Sequence, residues 1–470
     1  MQSAYVLIQA YVFTNSVRIF KIIKKLNGGC MQILKVLSRR VLAAAISLIC
    51  LFSSDAFAGG GYFSIGYGHV AKQTSGAVTA VAEDAYAGAS NPGKLTAAGN
   101  QFEIGAEFFN PHRRIKRTGA EDDASIYNIS DNSRNSFFII PDLAYAHQLN
   151  SDVTVGITAY ANGGLNSEYP GTTGIPGTNG NPGQCGSQPG NFFLGCGEVG
   201  FDLAQLIIAP TIAWKVAPGH SIGIAPLFAI QSFEAFGFQG LMPLSKYPSK
   251  MTNNGHDIAF GAGVRVGWYA EPTPWLSLGA AYSSKVYMQE FDKYKGLFAE
   301  GSFDIPANYS IGAALRPNDK WIIAVDIQRI AFKEVRSLGN SVQNSLGPDA
   351  PLLGSSSGSA FGWDRDQTNY RFGLTYLASK ELTLRAGYAY GKRANDNDVQ
   401  ATTLSILTPN PEEQFSFGLS WKTEQGNQLH VGYERFVKET YSGPSALFPG
   451  ARESVTPYVN VLHVAYTWAL

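Results

Sequence analysis

Reactive side chains are sparse in this 470-residue chain, and none is grouped for catalysis. The seven histidines stand singly at positions 69, 112, 147, 220, 256, 430 and 463, without the paired spacing that assembles a metal site. No Gly-x-Ser-x-Gly elbow stands out with a plausible triad, and no glycine-rich loop is set to cradle phosphate. The enzymatic alternative is an outer-membrane barrel hydrolase, which would draw on His463 and the serines near it and which sequence alone does not dismiss. Neither enzymatic activity nor a cofactor is expected. What remains is a cysteine pair, a few charges at strand positions and many aromatic rings. Their meaning depends on the elements that carry them.

The N-terminus carries an address. Met31 opens a run with basic Lys35, Arg39 and Arg40, followed by the apolar stretch 41–52 and the small-residue site Ala56-Phe57-Ala58. That order reads as a secretory signal, and the apolar stretch is too short for a membrane anchor. Cleavage is expected after Ala58 and Met31 is the expected true start; residues 1–30 show no clear role, and the leader occupies 1–58. Cys50 lacks the preceding residues that lipidation wants. Loss of the leader removes Cys30 and Cys50 and leaves Cys185 and Cys196, which are expected to form a disulfide in an oxidising compartment. Two cysteines with no nearby histidine cannot complete a zinc site. The bridge closes a short Gly-, Pro- and Asn-rich loop, stabilising it by about 3 kcal/mol.

Composition narrows the class of element. Gly (51), Phe (28) and Tyr (23) are abundant, while charged residues make up only 15%. A formal net charge of zero gives no reason to expect nucleic acid as a partner. A mean hydropathy of -0.06 is too polar for a bundle of membrane helices, each needing about 20 mostly apolar residues. Alternating strands average near zero and meet no such conflict. Past residue 100 the period is two, in segments at about 101–109, 136–148, 152–161, 202–216, 220–233, 256–270, 275–289, 304–315, 321–334, 369–378, 381–391, 413–422, 427–437 and 456–469. These are fourteen, an even number, and each reaches or approaches the roughly 9–11 residues of a tilted membrane strand.

The connections alternate in length. Those after even-numbered segments are tight, such as Leu149-Asn150-Ser151, Ala217-Pro218-Gly219 and Ser379-Lys380, whereas 110–135, 162–201 and 335–368 are long and polar. Outer-membrane barrels have short periplasmic turns and long extracellular loops; a sandwich or propeller has no reason to alternate so strictly. Parity then assigns faces. Leu382, Leu384, Ala386, Tyr388 and Tyr390 are expected outside, with Thr383, Arg385, Gly387 and Ala389 inside, because a charge facing the bilayer midplane costs about 2–4 kcal/mol. The last strand likewise turns Leu462, Val464, Tyr466 and Trp468 outward and His463, Ala465 and Thr467 inward. By the same parity Arg265, Arg385 and Asp326 face the lumen, where they either meet a ligand head group or form a structural ion-pair network. Phe233, Phe236 and Phe238 either line an outer apolar groove or pack loops.

Residues 59–100 do not read as strands. Small residues dominate from Ala80 to Leu95, and Asn91-Pro92-Gly93 is a turn signal. The segment is either a periplasmic tail or a compact plug, since a fourteen-stranded lumen is too wide for side chains alone to fill. The pattern Asp84-Ala85, Asn91-Pro92 and Leu95 resembles the N-terminal hatch of the FadL/TodX transporter family. Further pieces follow in order: Asp304-Ile305-Pro306-Ala307-Asn308-Tyr309-Ser310-Ile311-Gly312, Trp321 through Asp326-Ile327-Gln328, Gly362-Trp363-Asp364, Tyr370-Arg371-Phe372-Gly373 and Leu382-Thr383-Leu384-Arg385. The resemblance spans nearly the whole mature chain. Gly93 departs from it, standing where the family usually has Ala, which bears on hatch flexibility.

The resemblance implies an all-β, fourteen-stranded antiparallel transmembrane β-barrel (101–470) with an N-terminal hatch (59–100) in its lumen. It implies a monomer among outer-membrane lipid of a Gram-negative bacterium, with apolar pockets for a hydrophobic small-molecule ligand. Asp84, Asn91, Pro92 and Gly93 take gating roles in that reading. Ligand would enter from outside, shift the hatch and leave sideways through a gap in the wall. Substrates are long-chain fatty acids in some members and aromatic hydrocarbons in others. The energetics suit this shape: at roughly 0.8 kcal/mol per CH₂, a sixteen-carbon tail in water costs about 12 kcal/mol, which a water-filled pore does not relieve. The rival classes are a general diffusion porin and a surface receptor or adhesin using its long loops.

Overall fold

The computed structural model describes residues 61–178, 185–341, 345, 352–358, 361–363, 365–394, 411–445 and 447–470; the expected leader lies outside them. Fourteen long strands form one antiparallel sheet. They are β1 (Gln101–Thr118), β2 (Phe138–Gln148), β3 (Val153–Tyr169), β4 (Val199–Ala217), β5 (His220–Phe236), β6 (Asp257–Thr273) and β7 (Leu276–Ser283). The series continues with β8 (Asn308–Asn318), β9 (Trp321–Ile330), β10 (Gln367–Leu377), β11 (Leu382–Gly391), β12 (Glu413–Lys422), β13 (Gln428–Phe436) and β14 (Arg452–Ala469). β1 pairs with β14 from Gln101↔Ala469 to Thr118↔Arg452, which closes the barrel. Three short strands, Ile129–Asn132, Tyr287–Met288 and Tyr441–Pro444, add pairing at the end that carries the long connections.

Every expected segment is a strand, with shifted ends. β1 runs past 109 to Thr118, because residues 111–117 keep alternating while Arg113 and Arg117 on the inner side disguise the apolar period. β7 stops at Ser283, and Tyr287–Met288 pairs instead with Gly261 and Ala262 of β6. Ile222, Phe228, Ile311, Phe372, Phe417 and Leu462 are exposed on the outer wall, whereas Arg265, Asp326, Arg385 and His463 are buried inside. This is the inversion a bilayer requires.

Two fillings occupy the lumen. Residues 61–100 form a plug toward the tight-turn end, with helix α1 (His69–Gln73) and 3-10 turns at Tyr86–Ala89 and Pro92–Ala97. Toward the long connections the space is filled by rings, many of them from the connections themselves.

Candidate functional site

The wall that faces the plug is lined by glycine. Gly223 on β5, Gly267 on β6, Gly279 on β7, Gly312 on β8, Gly373 on β10, Gly387 on β11, Gly418 on β12 and Gly432 on β13 all turn inward at the plug's height. A Cβ at Gly267 would lie 2.0 Å from Asn91 Oδ1, and one at Gly279 would lie 2.1 Å from the Thr79 carbonyl. Any side chain there would displace the plug. The signal was present in the sequence, as glycine at inward parity in strand after strand.

Directed polar contacts set the plug's orientation. Asn91 donates through Nδ2 to the carbonyls of Thr79 (2.9 Å) and Trp268 (2.8 Å), and its Oδ1 accepts from the Gly93 N–H (3.0 Å) as Pro92 opens the turn. Asp326 accepts from the N–H groups of Val78 (2.9 Å) and Thr79 (2.7 Å). Arg265 donates to the Gly88 carbonyl (2.8 Å) and the Tyr160 hydroxyl (3.0 Å). Arg385 donates to Gln73 Oε1 (3.0 Å) and Ser420 Oγ (2.6 Å) and pairs with Glu83. The three lumen charges found by parity therefore all contact the plug or its supports. Asp84 lies within the plug and accepts from the Tyr86 N–H (3.1 Å).

A second set was not singled out from sequence, because its members are isolated along the chain. Lys72 of α1 sits between Asp142 and Glu107, 2.7 Å from Glu107 Oε1, and the Tyr86 hydroxyl donates to Asp142 (2.6 Å). His69 Nδ1 lies 2.6 Å from Glu103 Oε1, and Thr467 donates to Glu103 Oε2 (2.8 Å). His430 reaches Thr467 Oγ1 (3.0 Å) and Ser420 Oγ (2.7 Å), and Ser420 in turn receives Arg385. His69, Glu103 and His430 hold donor atoms within 4.8 Å of one another, which raises the question of a metal ion. The two imidazoles stack with centroids 3.4 Å apart and planes 20° apart, so their in-plane lone pairs cannot both point at one ion. The group is built as a hydrogen-bonded relay joining α1 to β1, β14, β13 and β11.

Among the described residues the wall is interrupted beside the plug at the β2–β3 seam, and the β4–β5 ladder also skips from Ile208↔Phe228 to Ile212↔Ile224. The β2–β3 ladder ends at Leu143↔Ala159, and the β3–β4 register slips between Ala161 and Gly163. Beyond that point β3 bonds the plug instead: Ser64 N–H donates to the Asn162 carbonyl (3.0 Å) and Gly164 N–H to the Tyr62 carbonyl (3.1 Å). Ile65, Phe109, Phe138, Ile140 and Ala161 back the seam with an apolar cluster. Asn162-Gly163-Gly164 was the sequence trace of this bulge.

In the mouth, Phe201 lies 4.9 Å from Phe238, Phe233 lies 4.7 Å from Phe298, and Phe298 lies 5.0 Å from Phe303. Phe233 and Phe238 are wholly buried in this cluster, while Phe236 sits on the opposite face of β5, outside it. The Cys185–Cys196 disulfide closes the connection that brings in Phe192 and Phe193. Between plug and wall lies a cavity of about 30 Å³ lined by Arg265, Arg371, Ser64, Tyr67, Asn308 and Gln328 among others, with no carboxylate in its lining. Larger apolar grooves, about 650 Å³ each, open on the lipid-facing wall around Trp268, Ala280 and Ile311.

A closed fourteen-stranded barrel, apolar outside and plugged within, is an outer-membrane transport architecture. The family model described as outer membrane protein transport protein (OMPP1/FadL/TodX) matches residues 197–444, more than half of the chain, and the chain belongs to that family. The toluene transporter TodX of P. putida superposes with a TM-score of 0.63 at 18% identity, covering 87% of this chain and 99% of that one. A FadL homologue of Pseudomonas aeruginosa gives 0.62 at 14% identity (87% and 99% covered), and the Ralstonia pickettii toluene transporter TbuX gives 0.59 at 16% (87% and 99%). At these identities the likeness is one of fold. None of the curated proteins matches the chain. The protein is therefore a Gram-negative outer-membrane barrel of a family that transports hydrophobic compounds.

Proposed function

We propose that this barrel carries hydrophobic small molecules, long-chain fatty acids foremost, across the outer membrane. The carrying observation is a plug seated by directed bonds on a glycine-lined wall, between an aromatic mouth and the interrupted β2–β3 seam. An apolar ligand enters among the rings, the plug rearranges as a hatch, and the ligand leaves sideways between β2 and β3 into the bilayer. Its tail never meets bulk water, which removes a cost of roughly 0.8 kcal/mol per CH₂. The cavity shared by Arg265 and Arg371 favours a carboxylate head, worth about 1.5–3 kcal/mol for a charge-assisted contact. Aromatic hydrocarbons are the second reading, favoured by the ring-lined mouth and by relatives described as toluene transporters.

The test is uptake of labelled oleate, with labelled toluene in parallel, by cells lacking their own transporter. Saturable oleate uptake that Asn91→Ala impairs, with assembly of the barrel intact, is the expected result. Uptake of toluene alone would transfer the substrate to hydrocarbons. Entry of neither, or normal transport by the Asn91 variant, would remove the hatch mechanism.

A further inference from the structure

Two arginines on the inner face of β1 have contrasting surroundings. Arg117 is buried and engaged: Nε donates to Glu453 Oε1 (2.7 Å), Nη1 donates to the Phe192 carbonyl (3.0 Å), and the Phe448 ring lies 4.3 Å from the guanidinium. Arg113, four residues earlier on the same face, is 7% exposed, and neither Nη1 nor Nη2 has a protein partner. Register fixes its direction, since Arg113↔Pro457 lies between the inward pairs Phe109↔Val461 and Ile115↔Val455. Ser133 bridges this point to the outer end of β3: its N–H donates to the Arg113 carbonyl (2.8 Å), and its Oγ accepts from the Glu168 N–H (3.1 Å). On β3, Ser167 and Tyr169 pair with Phe201 and Val199 of β4 and so share their inward face. Both hydroxyls are buried and likewise lack a protein partner. Tyr169 is within electrostatic range of Arg113 and packs edge-on against Phe192 at 5.6 Å.

A guanidinium keeps its proton, so Arg113 cannot escape burial by becoming neutral. Water can occupy its N–H groups but brings no counter-charge, and a native fold rarely keeps a buried charge without one. We propose that Arg113, Ser167 and Tyr169 form a binding site for the carboxylate of an amphiphile, with its tail along Phe192 and Phe193. The two Nη groups meet the two carboxylate oxygens, and the hydroxyls donate to the remaining lone pairs. The site lies on β1 and β3, apart from the Arg265–Arg371 cavity lined by β6 and β10. It rests on the transport reading and deepens it: a carboxylate would be recognised at the mouth before the plug is reached.

The experiment uses the purified barrel in nanodiscs, titrated with oleate and with oleyl alcohol, which has the same tail and no charge. Arg113→Met should weaken oleate about tenfold or more and leave oleyl alcohol unchanged. Without ligand, its melting temperature should equal or exceed that of the parent, because a lone buried charge has been removed. The rise in melting temperature on adding oleate should shrink, and Arg113→Lys should recover part of it. Unchanged oleate affinity in Arg113→Met, or equal loss for both ligands with a lowered melting temperature, would show a structural arginine and overturn the site. Protection by inorganic phosphate alone would overturn the amphiphile assignment. Failure of the parent to bind either ligand would instead sink the transport reading and this site with it.

Discussion

The two halves of the lumen are filled by opposite means. Around the plug, directed bonds from Asp326, Asn91 and Arg265 fix its seat beside apolar contacts, and glycine on the wall brings the two close. In the mouth the rings of Phe201, Phe233, Phe298 and Phe303 touch through faces and edges, contacts without hydrogen-bond direction. Directed bonds in a buried setting have few equivalent alternatives, so a plug held by them has one seat and leaves it as a unit. Apolar contact is non-directional and scales with area, so rings repack around a guest of similar area at little cost. In the transport reading proposed above, gating belongs to the collar of polar bonds and selection of an apolar guest to the mouth.

The division breaks most visibly at Lys72. Lys72→Ala leaves Glu107 and Asp142 buried without their cation, a loss of about 3–5 kcal/mol. The plug should unseat, so that planar bilayers show ion conductance where the parent shows none, while uptake falls and the barrel still assembles. A Lys72→Ala barrel that stays closed to ions would remove the collar as a latch. In the mouth, Phe233→Leu nearly conserves volume and should cost at most about 1.5 kcal/mol. It should change apparent affinity for a hydrophobic ligand without opening conductance. Conductance in both variants would erase the distinction between the halves.

The same contrast explains what could be read from the sequence. The wall was legible because period two and alternating turn lengths are local signals, and parity alone sent Arg265, Asp326 and Arg385 inward. The turn at Asn91-Pro92-Gly93 was local too. The relay from His69 through Glu103, Thr467 and His430 was not, since its members lie up to 398 positions apart and meet only when β1 closes on β14. The mouth was hidden for a related reason. Phe298, Phe303 and Phe361 belong to connections that carry no period, so nothing local tells a ring in a loop from a ring in a core. Phe236 shows the limit of proximity along the chain: it is three residues from Phe233 and on the other face of the strand.

The smallest effect is expected at the outer rim, where a polar clasp like those of the collar stands in water. His256 lies 3.0 Å from Asp202 Oδ2 and 3.0 Å from Glu234 Oε2, with about half of its side chain exposed. The hydrogen bond to Asp202, opposed by burial and aided by both carboxylate charges, raises its pKa above the ordinary 6.5. A raised folded value means that the clasp contributes fully below pH 6.5 and is lost as pH climbs through the raised value. Exposure and salt screening keep that contribution below about 1 kcal/mol. Hydrogen exchange in the 237–256 connection, corrected for intrinsic rates, should be slower at pH 6 than at pH 8, with the melting temperature of the barrel unchanged. His256→Gln should abolish the difference, and slower exchange at the higher pH would refute the clasp. Lys72 and His256 each stand between two carboxylates, so the gap between their effects measures what burial adds to the same geometry.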